Sequence, residues 1–236
     1  MHRATAALVI ATATWGLTSC ALLPGLGEPS APEPTYSSSG LLLSPTEVPG
    51  GGSWHEIDTE MAQVHFSERP TDHDSQTIEP AECIESRTIT VPREGADVDL
   101  AALRLQERGG AESRVLAVVK GARSVDEIKD AREDCDRMTL DYETHMARQT
   151  ESVQDGPDIE GAEDTITIDT AWSTEMDGQT APIIVDRTLV AEVRQTLVVS
   201  RVTLQTQGTG LQISDELKAE ADEALRVQVD KVVKAP

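Results

Sequence analysis

Histidines, cysteines, arginines and a scatter of carboxylates are the side chains of this 236-residue chain that could do chemistry. His55, His65 and His73, with Asp72 and Asp74 beside the last, are what a metal centre would draw on. Their spacing matches no ligand pattern, such as two histidines four apart on one helix face, so no metal is expected there. No G-x-S-x-G elbow, H-E-x-x-H, C-x-x-C or P-loop occurs either, and no enzyme activity and no cofactor are expected. Arg123 and Arg132 flank a hairpin–helix junction and could meet an anionic ligand in a cleft, although surface arginines on a helix are the simpler reading. Asp177-Gly178 is a turn signal rather than a calcium loop.

Thiol chemistry begins with Cys20. His2 and Arg3 give a short basic start, and Ala4 to Leu17 carries no charge. That apolar stretch falls short of the roughly 20 residues that span a bilayer but suits an export signal. Leu17, Thr18, Ser19 and Cys20 then resemble a bacterial lipobox. The resemblance implies that the Cys20 thiol receives a diacylglyceryl group and that residues 1–19 are removed. A lipoprotein with palmitate-type chains would then stand on the outer face of the cell membrane, held by the two or more chains that stable anchoring requires. The competing reading is an ordinary signal peptide that happens to contain a cysteine.

With Cys20 lipidated, Cys83 and Cys135 remain. In an oxidising exterior two cysteines suggest one disulfide. Closing a loop of that size stabilises the fold by about 4 kcal/mol in the chain-entropy model. Two buried free thiols are the alternative.

Net charge is −22 and aromatic residues are 3% of the chain, so the core must be aliphatic. Such a chain does not bind nucleic acid phosphates by charge, and its surface would be repelled by anionic membranes. Beyond the N-terminus no apolar stretch is long enough to span a bilayer. The membrane attachment expected is the lipid on Cys20 alone.

Three parts follow: a signal over 1–19, a flexible tether over 20–39 rich in Pro, Ser, Gly and Glu, and a folded domain over 40–236. Ser44 to Glu47 has the form of a capping box, which predicts one short helical turn after Leu41 to Leu43. Trp54, Ile57, Met61 and Val64 recur weakly at helical spacing, and residues 67–76 read as loop. Pro80 predicts a short helix around Cys83. Ala101, Leu103 and Leu105 alternate, as do Val115, Ala117 and Val119, with Gly109-Gly110 between them: a hairpin. Ser124 and Glu127 box the start of a helix over about 125–137. Residues 138–143 read as strand, and 147–164, polar throughout, as loop. Ile166, Ile168, Thr170 and Trp172 alternate as a strand, and two β-branched runs follow from Arg187 to Gln205. Ser214 caps a last helix with the stripe Leu217, Ala221, Leu225, Val229 and Val232. The fold class is α+β: a twisted antiparallel sheet with segregated helices and one disulfide, preceded by the signal and tether.

Taken in order, "LLLSPTEV", "PAEC", a cysteine on a helix after a hairpin, and strands before a terminal amphipathic helix resemble the extracellular sensor-type domain of actinobacterial lipoproteins and PknH-type Ser/Thr kinases. The resemblance covers residues 40 to 234. It implies an antiparallel sheet with helices around a cleft, held by disulfides, that binds an unidentified ligand. The kinase version has two disulfides where this chain can make one, and Pro49 to Gly52 shorten the usual first helix. No kinase domain is present, so signalling would pass through a partner. The expected function is a lipid-anchored, extracytoplasmic, non-enzymatic domain that binds a small ligand or an envelope protein as a sensor or accessory factor. The alternatives are a carrier of envelope lipid or glycolipid, and a structural partner of an envelope enzyme complex.

Overall fold

A computed structural model describes residues 33–66, 77–81, 83, 88–106, 111–141, 146–176, 179–205 and 211–236. In chain order the elements are α1 (Ser38–Leu41), β1 (His55–Ile57), α2 (Thr59–Phe66), β2 (Thr77–Glu79), β3 (Asp99–Gln106), β4 (Glu112–Lys120), α3 (Val125–Asp130), β5 (Arg137–Asp141), β6 (Met146–Asp155), β7 (Asp164–Met176), β8 (Gln179–Val193), β9 (Thr196–Gln205) and α4 (Asp215–Lys234). The strands form one antiparallel sheet in the order β1-β3-β4-β9-β8-β7-β6-β5-β2. The α+β class expected from the sequence is the observed one.

The sheet is built from two runs of neighbours. β3 and β4 form the expected hairpin, and β5 to β9 form a continuous meander. Thr196 of β9 pairs with Lys120 of β4, which joins the two runs at the centre. Between β8 and β9 the chain reverses in two residues, Arg194 and Gln195, both with positive φ. That left-handed pair matches the twist of the flanking strands. Gly121, at φ 74, ends β4. A Cβ there would lie 2.2 Å from the Asp97 carbonyl oxygen, so only glycine fits.

Alternation along the strands makes two apolar layers. On the front, Leu103, Leu116, Val118, Leu189 and Val198 meet Ala221, Leu225, Val229 and Val232 of α4. Each fully buried Val or Leu contributes about 1.5–3 kcal/mol relative to exposure. On the back, Ala102, Ala117, Val119, Val190 and Val199 meet Ala62 and Phe66 of α2 and Val125 and Ile128 of α3. Both layers share β4, which explains why Val115 to Val119 are buried without interruption.

Gln228 is the buried polar exception in the α4 stripe. Its Oε1 accepts from the Leu43 N–H and its Nε2 donates to the Leu41 carbonyl, both at 2.8 Å. The apolar segment Leu41 to Leu43 is thereby fixed along α4.

Several sequence expectations are corrected. Residues 146–155 are strand β6, not loop; their inward positions are polar, which hides the alternation. The helix predicted over 125–137 ends at Asp130. Its capping box forms as expected, but the chain then turns, with Arg132 N–H donating to the Lys129 carbonyl and Cys135 N–H to that of Arg132, both at 3.0 Å. Ser44 and Glu47 make their capping bond at 2.7 Å within a turn, and the short helix lies earlier, at α1. That bond from the Ser44 backbone holds the Glu47 carboxyl below its ordinary pKa. Ser38, read as tether, is buried on the folded body, its N–H and Oγ each bonded to Asp99 at 2.7 Å. In α2 the buried residues are Ala62 and Phe66, whereas Met61 and Val64 are exposed. Thr77–Glu79 is an edge strand on β5, and Cys83, around which a short helix was expected, is helical, with its N–H donating to the Pro80 carbonyl at 3.2 Å. Residues 67–76, Gly109-Gly110, Asp177-Gly178 and the signal and most of the tether lie outside the described residues.

Candidate functional site

Because α4 lies over β8 and β9, no helix among the described residues covers the front of β6 and β7. A cleft of about 370 Å³ opens there. Its floor is formed by Thr150 and Ser152 of β6, Asp169 and Ala171 of β7 and Val185 of β8. Its wall is the segment Leu211 to Ile213 that leads into the Ser214 cap, together with Lys218 on the first turn of α4.

The chemistry of this lining is mixed. Two hydroxyls and the Gln212 amide can both give and accept hydrogen bonds. Asp169 is held by Arg187, whose Nη1 donates to its two oxygens at 3.1 and 3.0 Å, and by Gln154 Nε2 at 3.3 Å. Lys218 donates to Asp215 at 3.2 Å. Ala171, Val185, Leu211 and Ile213 add aliphatic surface. The described lining holds neither histidine nor cysteine. Such a site suits a small polar ligand with an apolar edge.

Glu151, Thr170 and Asp186 also line the cleft. By alternation with Val153, Ile168 and Val190 their side chains project to the back. There they form a cross-strand row: Glu151 pairs with Thr170, Thr170 with Asp186, Asp186 with Thr203, and Thr203 with Ser113. Glu151, Thr170 and Asp186 are buried. Two arginines meet this row. Arg132 donates to Glu151 Oε2 at 2.5 Å, and Arg201 spans Asp186 with Nε at 3.3 Å and Nη2 at 3.0 Å. Thr203 Oγ1 adds a 2.5 Å bond to Asp186, and Gln149 Nε2 donates to Glu151 at 3.3 Å. The cleft floor is therefore fixed from behind by two buried, hydrogen-bonded ion pairs, the arrangement in which buried charge is tolerated.

Cys83 and Cys135 form the expected disulfide. It ties the segment after β2 to the turn that carries Arg132. With Met138 and Ala147 it makes a small separate cluster, against which Trp172 packs.

Arg123 and Arg132 are not the surface arginines expected. Both are buried, at 7% and 5% exposure. Arg123 Nη2 donates to the Thr88 carbonyl at 2.6 Å. The turn after α3 brings the Arg132 guanidinium against Glu151 of β6. His55 is exposed on β1 opposite Arg104, and His65 sits on the last turn of α2. His73, Asp72 and Asp74 lie outside the described residues, as does Cys20. Among the described residues no group of three potential metal ligands converges.

Glu151, Gln149, Asp186 and Arg201 were missed by sequence reasoning. The available signal was the period of two through Gln149, Glu151 and Val153, in phase with Ile166 and Ile168 of the next strand.

No protein-family model matches the chain, and no curated protein matches it. Solved structures do. One is an X-ray structure of an uncharacterized Mycobacterium smegmatis protein, an Rv0999 ortholog. It is 18% identical over 77% of this chain and 86% of that one, with a TM-score of 0.45. Another is the crystal structure of the extracellular domain of PknH from Mycobacterium tuberculosis, 18% identical over 86% of this chain and 98% of that one, with a TM-score of 0.47. The latter is of the kinase type that the sequence resembles. No residue role passes from either to this chain.

Proposed function

We propose that the chain is a lipid-anchored, extracytoplasmic domain that binds a small polar ligand in the cleft at the head of α4 and acts as a sensor or accessory factor without catalysis of its own. The cleft is the observation that carries this reading: a concave lining of hydroxyl, amide and aliphatic groups over a floor fixed by ion pairs. A pre-formed floor lowers the ordering that ligand binding must overcome. The Cys83–Cys135 disulfide supports an oxidising compartment, and the lipobox-like Leu17 to Cys20 supports anchoring. The space between α4 and the sheet is filled by aliphatic side chains. That filling favours the cleft over the lipid-carrier reading.

Two measurements test the proposal. Protein extracted gently from envelopes of an actinobacterial host should melt higher than the same chain refolded and dialysed, since a bound ligand stabilises the folded state; identical melting would count against ligand binding. Cys20→Ser should move the protein out of the membrane fraction with its disulfide intact. Retained attachment would remove the anchor from the proposal.

A further inference from the structure

The back of the sheet carries a second cross-strand row, one step from the row of Glu151 and Asp186. It runs through His55, Arg104, Val115, Arg201 and Thr188. The two arginines on it differ. Arg201 is charge-compensated by Asp186, at 3.0 Å, and also donates to the His65 carbonyl. Arg104 is not compensated in this way. Its Nε donates to Ser113 Oγ at 3.3 Å, and among the described residues no carboxylate forms an ion pair with it. Among the described residues its terminal nitrogens have no hydrogen-bond partner.

Among the described residues no carboxylate pairs with Arg104, and the Asp186 carboxylate nearby is held by Arg201. α2 lies across β3, with His65 on its last turn next to Phe66. Burial first, and then the positive charge of Arg104 and Arg201, hold the His65 imidazole down to about 4, with Asp186 opposing them. Among the described residues the groups facing this spot are thus two guanidinium ions, a neutral imidazole, the exposed His55 ring and one carboxylate already engaged. One positive charge is left over, in a chain whose net charge is −22.

We propose that Arg104, Ser113 and His65 form a binding site for the carboxylate group of a ligand. A carboxylate is the class that fits. Its single negative charge cancels the one uncompensated positive charge, whereas a phosphate dianion would need the imidazole protonated as well. Its planar pair of oxygens matches the free fork of the guanidinium. The Ser113 hydroxyl accepts from Arg104 and keeps its own hydrogen for the ligand, and the neutral imidazole has one N–H to give. This site lies on the opposite side of the sheet from the cleft, so neither proposal depends on the other.

Amide and histidine-ring NMR on the folded domain at pH 7 tests it, with sodium acetate as probe, inorganic phosphate as the rival anion and sodium chloride to match ionic strength. Acetate should produce saturable shifts at Ser113, Arg104 and His65 that chloride does not. Arg104→Gln should weaken acetate binding about tenfold or more, and Arg104→Lys, which keeps the charge but loses the fork, by a smaller factor. Arg137→Gln, an exposed residue on β5, should leave it unchanged. Shifts no larger than those with chloride, equal binding by Arg104→Gln in a well-dispersed spectrum, or saturable binding of phosphate but not acetate would each overturn the assignment.

Discussion

Under α4 the front of the sheet is aliphatic across β3, β4, β9 and β8, whereas the back changes character from those strands toward β7 and β6. There the apolar layer under α2 and α3 gives way to Thr170, Asp186, Arg201 and Glu151. The front owes its stability to area removed from water. The back adds pairs whose net worth is small when intact and whose disruption is expensive, because a charge is then stranded in the interior. The cleft sits where the first arrangement stops and the second begins.

The sharpest way to break that comparison is at Arg132, 5% exposed. Arg132→Leu should destabilise the domain by about 4 kcal/mol in urea unfolding, since Glu151 stays behind as a buried charge. Adding Glu151→Leu should recover most of the loss. Two single changes that simply add would contradict the account of the back face. Leu225→Ala, at the centre of the α4 stripe, should cost about 3 kcal/mol through lost burial and a cavity. No second substitution of one residue opposite should repair it, which separates packing from pairing.

Smaller effects refine the picture. Gln228→Leu should cost roughly 2 kcal/mol despite its greater hydrophobicity, because the Leu43 N–H and Leu41 carbonyl lose their buried partner. A neutral or stabilising result would mean that the segment along α4 is held by its leucines alone. The last effect is a pH dependence. The folded pKa of His65 is about 4, below the ordinary value of about 6.5 that the unfolded chain would show. As pH falls through 6.5 the unfolded state takes up a proton first. Stability therefore drops between roughly pH 6.5 and 4, by on the order of 1 kcal/mol for a partly exposed ring. His65→Gln should remove that component of the pH profile, and an unaltered profile would contradict the placement of the ring.

Where the sequence was read correctly, hydrophobic period and capping chemistry pointed the same way. The β3–β4 hairpin, β7, the capping box of α3 and the whole of α4 were legible for that reason. The disulfide was legible from cysteine arithmetic. β6 was not, because its inward residues are Gln149 and Glu151, and a polar residue at a buried position looks like loop. The end of α3 was obscured in the same manner: Arg132 continues the helical period, yet its guanidinium is drawn to a carboxylate on a strand whose existence the sequence concealed. A cleft was expected only from the family resemblance, and its lining comes from alternate positions on β6 and β7, which carry no pattern of their own.

The central claim is that the cleft at the head of α4 holds a ligand. Native mass spectrometry of the domain extracted from the envelope tests it most directly, in parallel for the wild type and for Ala171→Trp, which fills the floor. A small stoichiometric adduct on the wild type, absent from the folded variant, is the predicted result. The same adduct on both proteins, or bare protein in both, would contradict it.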